Sequence, residues 1–128
     1  MKYQVVRQLS REDCGAACLA AIAKYYGRII SINRIREAVG TGQLGTTLLG
    51  LRRGAEVLGF NARSGKASAD ILDHPNKLPL PAIIHWQGNH WVVLYGQRGN
   101  KYIIADPAIG LRYLCQQELS YPANFLSP

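Results

Sequence analysis

Two hydrophobic patterns divide this chain near residue 60, and the division limits the folds open to it. Before that point, apolar residues recur at three- and four-residue spacing, which is typical of amphipathic helices. After it, short runs rich in Val, Ile, Tyr and Trp alternate with turns that carry Gly or Asn, which is typical of strands. The order predicts an α+β domain in which N-terminal helices pack on a C-terminal antiparallel sheet.

The first half of the chain contains start and stop signals for three helices. Asp13 is expected to cap a helix that Gly27 ends, and Ser31 to cap a second that runs through Val39 and stops at Gly40. A third is expected to start after Thr46 or Thr47 and to end at Gly59, with one apolar stripe made of Leu48, Leu51, Ala55 and Leu58.

Two glycines interrupt the third predicted helix, at Gly50 and Gly54. Each costs about 1 kcal/mol relative to Ala in a helix interior, so we expect close packing at both positions.

The second half contains five candidate strands: Phe60–Arg63, Pro81–Trp86, His90–Gly96, Lys101–Asp106 and a short one at Leu111–Leu114. Consecutive apolar residues in two of them, Val92-Val93-Leu94 and Ile103-Ile104, indicate strands covered on both faces. One or two helical turns are expected at Ser68–Leu72.

Composition narrows the classes of protein that remain. With 128 residues, 48% hydrophobic and 18% charged, the chain fits a single domain over 1–128 and is too apolar for a disordered one. No apolar run approaches the ~18 residues of a membrane span, and the N-terminus lacks a secretory signal's apolar block. The folded part is therefore expected to be soluble, and three cysteines, an odd number, favour a reducing compartment.

The net charge of +7 is concentrated in the first half, where residues 1–64 carry ten basic and four acidic side chains. Such a surface could meet nucleic acid, anionic lipid or an acidic peptide. No basic run exceeds Arg52-Arg53 and no aromatic residues interleave with the basic ones, so we expect no nucleic-acid partner.

Among the three cysteines, Cys14 has the position of a reactive thiol. It lies at the start of the first predicted helix, where free N–H groups favour a thiolate, whereas the Asp13 carboxylate opposes one if it points the same way. Cys18 and Cys115 have apolar neighbours and are expected to be small buried hydrophobes. A cysteine at a helix start is more often structural, so Cys14 needs a base nearby.

His90 is the candidate base. It opens a strand after a turn, whereas His74 lies in a polar loop and His85 lies inside an apolar strand as a hydrogen-bonded core residue. If the hairpin after His90 turns through three residues, Asp106 lies opposite or diagonal to His90 on the same face; an even loop would put them on opposite faces. Asp106 would orient the imidazole, although a simple cross-strand ion pair fits equally well.

A cysteine on a leading helix, then His and Asp on strands, is the nucleophile–base–orienter order of papain-like proteases. Gln8 precedes Cys14 by six residues, and its amide is a candidate donor to the oxyanion, with the Cys14 backbone N–H.

The chain resembles the bacteriocin-processing cysteine peptidase domain found at the N-terminus of peptidase-containing ABC transporters. The resemblance covers residues 4–120 and rests on four pieces in order: Gln8 with Asp13-Cys14-Gly15, Tyr25-Tyr26-Gly27, His90-Trp91-Val92-Val93, and Asp106-Pro107-Ala108 with Gly110. It implies a papain-like fold and catalytic roles for Cys14, His90, Asp106 and Gln8.

The resemblance also implies a substrate: a precursor peptide cleaved after a Gly-Gly or Gly-Ala pair at the end of its leader, with export. Trp86, Asn89 and Trp91 are candidate substrate-binding residues. No metal or organic cofactor is expected. The expected partners are the membrane and ATP-binding domains of the same transporter, at the cytoplasmic face of a bacterial plasma membrane.

Three other functions remain open at this point. The domain could bind leader peptides without cleaving them, as relatives that lack the cysteine do. Cys14, Cys18 and a histidine could hold a metal, although this spacing supplies only two thiol ligands. A nucleic-acid-binding role would rest on charge alone.

Overall fold

The fold is seen in a computed structural model that describes residues 2–43, 45–66, 79–86, 90–119 and 124–128. Within these residues, a 3₁₀ turn at Arg11–Asp13 leads into four helices: α1 Cys14–Tyr25, α2 Ile32–Val39, α3 Leu48–Val57 and α4 Gln116–Leu119. The described strands are β1 Arg63–Lys66, β2 Ala82–Trp86, β3 His90–Arg98, β4 Lys101–Asp106, β5 Gly110–Leu114 and β6 Asn124–Ser127. None of the described helices is long and apolar enough to cross a membrane.

The predicted helices are confirmed, with one correction to their caps. Ser31 and Thr47 accept hydrogen bonds from the backbone N–H of the third residue of α2 and α3, respectively, and Gly40 ends α2 in the left-handed conformation. Asp13 precedes α1 but does not cap it with its side chain, so that prediction is wrong. Its buried carboxylate turns back to Ser10 and forms an ion pair with Arg36.

The glycines of α3 pack as closely as predicted. A Cβ added at Gly50 would meet the carbonyl oxygen of Val39, and one added at Gly54 would meet the side chain and backbone nitrogen of Val39. Glycine therefore lets α3 lie directly against the end of α2.

The described strands form one antiparallel sheet in the order β1-β6-β2-β3-β4-β5. The fold-class prediction of helices followed by an antiparallel sheet is confirmed. The predicted strand at Phe60–Arg63 is wrong, since β1 begins at Arg63, and neither β6 nor α4 was predicted. The helical turn predicted at Ser68–Leu72 lies outside the described residues.

Both faces of the sheet carry a core, as the consecutive apolar residues indicated. On one face, α1 is buried from Cys14 to Ala23 and packs on β3, with Ile83, Val93 and Ile103 below it. On the other face, a second cluster includes Ile84, Val92, Leu94, Ile104 and Leu119. Five of the buried residues of α1 are alanines, and these small side chains bring its N-terminus close to the strands.

The β3–β4 hairpin reaches its register in an unexpected way. Its turn has two residues, with Arg98 paired to Lys101, so the predicted three-residue loop is wrong. A bulge between Leu94 and Gly96 adds one residue to β3 and restores the parity that the short turn removes. At the open end of the hairpin, the side chains of β3 and β4 therefore point to the same faces of the sheet as they would with the predicted three-residue loop.

Candidate active site

Cys14 is the first residue of α1, and its side chain is 4% exposed. Its sulfur forms hydrogen bonds with the His90 ring and with the backbone N–H groups of Trp91 and Gly15. Gly15 favours this close approach, because a Cβ added there would lie only 3.2 Å from Thr46 and 3.3 Å from Trp91. The helix start therefore lies tight against the beginning of β3.

His90 bridges Cys14 and Asp106. Its Nε2 lies 2.7 Å from Oδ1 of Asp106, which leaves Nδ1 to face the sulfur. The predicted placement of His90 and Asp106 on one face is confirmed. The three side chains form a continuous hydrogen-bonded row from α1 through β3 to β4.

Two further groups hold the Asp106 carboxylate, which is 2% exposed. The backbone N–H of Ala108 donates to Oδ1 at 2.9 Å, and Nη1 of Arg112 donates to Oδ2 at 3.3 Å. Both carboxylate oxygens are thus engaged, so the carboxylate has a fixed orientation toward His90.

Hydrogen bonding in this row shifts the pKa of each member toward its charged form. Burial opposes ionisation of Cys14, but the hydrogen bonds from His90 and the Trp91 N–H prevail and keep the pKa of the thiol below its usual value. The bonds to Asp106 and then Cys14 outweigh burial and raise the pKa of His90 to about 9. Burial also opposes ionisation of Asp106, yet the bonds from His90 and Ala108 leave its pKa below the usual range.

These directions favour a thiolate beside an imidazolium. The Asp13 carboxylate, which the sequence left as a possible opponent of the thiolate, is directed toward Ser10 and Arg36 instead. The nucleophilic form of sulfur is therefore stabilised before any substrate arrives.

Gln8 lies in a cavity of about 380 Å³ that His90 and Asp106 also line. Its backbone N–H donates to the carbonyl of Pro107 at 2.9 Å, which ties the N-terminal segment to the turn after β4. Its Nε2 donates to the Ser10 carbonyl at 3.2 Å, and its buried Oε1 has no hydrogen-bond partner among the described residues. An amide nitrogen carries two hydrogens, so Nε2 retains one for another acceptor.

The three candidate substrate-binding residues have different surroundings. Trp86 lines the cavity, whereas Trp91 is 3% exposed and packs in the core with its indole donating to the Thr46 carbonyl at 3.0 Å. Asn89 lies outside the described residues, as does His74. The structure thus brings Trp86 to the site and puts the Trp91 side chain behind it.

The remaining histidine and cysteines lie outside the row. The prediction that His85 is a hydrogen-bonded core residue is not met, since it is half-buried and stacks on Trp91 with ring centroids 4.3 Å apart. Cys18 is buried as predicted, and burial raises the pKa of its thiol well above the usual value. Cys115 is only half-buried.

Sequence reasoning missed several groups at the site. The backbone donors of Trp91 and Ala108 leave no side-chain signature that a sequence could reveal. Arg112 is different, because strand register could have revealed it. It lies in β5 two residues after Gly110, the partner of Asp106, so its side chain is on the same face of the sheet as Asp106. Arg11 and Ile109 also line the cavity.

A buried thiol at a helix start, bonded to an imidazole that a carboxylate orients, is the arrangement of a cysteine peptidase on a papain-like fold. The chain belongs to the Peptidase C39 family, whose model matches residues 2–122.

Two curated relatives are secretion or transport proteins that are much longer than this chain. The colicin V secretion/processing ATP-binding protein CvaB of Escherichia coli is 36% identical over 119 residues, which are 93% of this chain and 17% of the relative. The lactococcin-G-processing and transport ATP-binding protein LagD of Lactococcus lactis is 40% identical over 111 residues, 84% of this chain and 16% of that protein. The chain thus spans about a sixth of the length of these relatives.

Solved structures show the same fold. The peptidase domain of Streptococcus ComA, described as a bifunctional ABC transporter involved in quorum sensing, superposes with a TM-score of 0.86 at 36% identity over 99% of both chains. A double glycine motif protease from an AMS/PCAT transporter, solved in complex with the leader peptide, superposes with a TM-score of 0.88 at 30% identity over 98% of this chain and 89% of the other.

Proposed function

We propose that this chain is a cysteine endopeptidase that cleaves the leader of a ribosomally made precursor peptide after a Gly-Gly or Gly-Ala pair. The single observation that carries the proposal is the hydrogen-bonded row of Cys14, His90 and Asp106, with a thiol whose pKa is lowered and an imidazole whose pKa is raised. The names of the relatives, which process bacteriocins, and of the double glycine motif protease supply the substrate class.

In the first half-reaction, the Cys14 thiolate attacks the carbonyl carbon of the second small residue. A C–S bond forms and the carbonyl electrons move onto oxygen. When the intermediate collapses, the peptide C–N bond breaks and the leaving nitrogen takes the proton from Nδ1 of His90. The products are a thioester on Cys14 and a free amine on the cargo peptide.

In the second half-reaction, water hydrolyses the thioester. Neutral His90 accepts a proton from the attacking water, the C–S bond breaks, and the sulfur leaves as the thiolate that faces the re-formed imidazolium. Asp106 stays ionised throughout and holds Nε2–H, so the same ring nitrogen serves both halves.

Gln8 is the proposed side-chain donor to the oxyanion. Its amide lies in the cavity that His90 lines, and the Nε2 hydrogen left over from its bond to Ser10 can meet the developing charge. The backbone N–H of Cys14 is the proposed second donor. Gln8 lies in the segment that leads into α1, and Cys14 begins that helix, so both donors belong to the part of the chain that carries the nucleophile.

An apolar stripe that starts at the cavity and runs along the opposite face of β5 from Arg112 supports binding of an amphipathic leader helix. Ile109 lines the cavity and is 58% exposed, and Leu111 and Tyr113 continue from it along β5 with 40% and 48% exposure. Adjacent apolar side chains at this exposure fit one face of a bound helix. Trp86 and Asn89 are proposed to contact the residues nearest the scissile bond.

The chain is proposed to act as a single domain at the N-terminus of a larger ABC transporter, with the membrane and ATP-binding domains as its partners. On this proposal it works at the cytoplasmic face of a bacterial plasma membrane. Its chemistry needs no metal or organic cofactor, because the nucleophile, the proton donor and the orienting carboxylate are side chains of this chain.

The test is incubation of the purified chain with a double-glycine precursor, read by mass spectrometry. The wild type should release a leader that ends in the Gly-Gly or Gly-Ala pair. Cys14→Ala should abolish cleavage and retain leader binding, measured by calorimetry or fluorescence anisotropy, because it removes the sulfur and little else.

Cys115→Ala is the matched control, since Cys115 is half-buried and lies outside the row. It should cleave at the wild-type rate. Binding of the leader by wild type with no cleavage by any variant would instead identify a binding domain without peptidase activity. Cleavage that survives in Cys14→Ala would refute the assignment of the nucleophile.

A further inference from the structure

Neighbouring strands contribute one side chain each to a line across the active-site end of the sheet. Trp86 of β2 is paired with His90 of β3, Asp106 of β4 is bonded to His90, and Arg112 of β5 is bonded to Asp106. All four side chains lie on one face. With strands about 4.8 Å apart, β2 and β5 are separated by roughly 14 Å, so only long side chains can join the two ends.

Arg112 does join them. Its Nη1 donates to Oδ2 of Asp106 at 3.3 Å, and its guanidinium carbon lies 5.4 Å from the centroid of the Trp86 ring. The guanidinium therefore reaches back across the Asp106 carboxylate toward the ring on the far side of His90. The Trp86 ring is 4% exposed, so it offers Arg112 a fixed flat surface.

We propose that Arg112, held over Trp86, is a positioning residue that fixes the Asp106 carboxylate for its bond to His90. This inference rests on the proposed function, because it assigns a role within the same catalytic row. Arg112 acts through Asp106 and need not touch the reacting atoms.

The geometry separates positioning from a mere contribution of charge. Oδ1 of Asp106 already accepts from His90 and Ala108, so Oδ2 is the oxygen whose anchoring prevents rotation of the carboxylate. If Arg112 contributed only its positive charge, removing it would make the imidazolium easier to form and would raise the pKa of His90. Loss of positioning weakens the Asp106 bond and lowers that pKa.

Other charged and titratable groups face this row and remain constant in the comparison. They come from the 3₁₀ turn, α1, β2 and α4, and they are Arg11, Cys18, His85 and Glu118.

The experiment measures the rate of Cys14 alkylation by iodoacetamide and the value of kcat/KM against pH, for wild type, Arg112→Met, Arg112→Gln and Arg112→Lys. Mass spectrometry assigns the alkylated residue. Arg112→Met should lower kcat about tenfold with KM changed less than twofold, because a misplaced base slows chemistry more than binding. The alkaline limb of its kcat/KM profile should move down by about one pH unit, because the pKa of His90 falls.

Arg112→Lys keeps a donor for Oδ2 and a cation over Trp86, so it should recover most of the wild-type profile. Arg112→Gln tests the same point if the methionine variant does not fold. Arg53→Met, on the exposed side of α3, is the control for loss of one arginine charge and should match wild type. An unshifted or upward-shifted alkaline limb in the Met or Gln variant would overturn the proposal.

The two proposals can fail separately. Alkylation needs no leader peptide, so it reports on the row even if wild type cleaves nothing. Failure of wild type to cleave a double-glycine precursor contradicts the proposed function, whereas an unchanged alkylation profile in the Arg112 variants contradicts only the positioning role.

Discussion

At the scale of single residues, the site depends on which groups the Cys14 sulfur meets. Chain order and strand register pointed to His90 and Asp106, because their side chains are chemically distinctive. The donors that complete the site were not predictable in this way, since Trp91 and Ala108 contribute backbone N–H groups. The cap assigned to Asp13 failed because a partner distant in sequence, Arg36, together with Ser10 draws its carboxylate away from the helix.

The pKa directions in the row predict a bell-shaped dependence of kcat/KM on pH. Activity should rise as the thiolate forms at a pH below the ordinary thiol value. It should fall near pH 9, where His90 loses the proton that the leaving amine needs. Steady-state kinetics across this range with a leader-derived peptide measures both limbs.

Asp106→Asn is the informative variant for that profile. Asparagine can accept from Nε2–H but lacks the charge that favours the imidazolium, so the alkaline limb should shift to lower pH while some activity remains. Asp106→Leu, which removes the acceptor, should lose more. An alkaline limb that stays near pH 9 in both variants would mean that Asp106 does not raise the pKa of His90.

At the scale of elements, the helix ends were predictable because short-range interactions determine them. Ser31, Thr47 and Gly40 set helix ends because each acts on the backbone within a few residues. β6 was not predictable, because its four residues carry no alternation and are held by pairing with β1 and β2, far away in sequence. The bulge in β3 is likewise a product of the sheet.

The contact between α2 and α3 predicts the effect of Gly54→Ala. The added methyl group would meet both the side chain and the backbone of Val39, so the helices must separate. We expect a loss of about 1–3 kcal/mol in the free energy of unfolding, despite the better helix propensity of alanine. Urea denaturation followed by circular dichroism measures it.

Arg53→Ala, one residue away on the exposed side of α3, is the matched control and should change that free energy by less than about 0.5 kcal/mol. Equal stability of Gly54→Ala and wild type would show that the helices do not touch as closely as described.

At the scale of the whole molecule, the site exists because a helix layer and a sheet meet at one end. Cys14 comes from the first helix and His90 and Asp106 from adjacent strands, so no single segment contains the row. The α+β class followed from the change of hydrophobic pattern near residue 60. The distance between the sulfur and the imidazole could not be predicted in this way, since it depends on how closely Gly15 lets α1 approach Trp91.

The most direct test of the account is covalent trapping with a leader peptide whose C-terminal Gly-Gly carries a chloromethyl ketone, in EDTA and without ATP. Peptide mapping should find one adduct per molecule, on Cys14, formed much more slowly in His90→Ala at neutral pH. An adduct on Cys115, no adduct at all, or equal rates with and without His90 would contradict the claim that the imidazole activates this thiol.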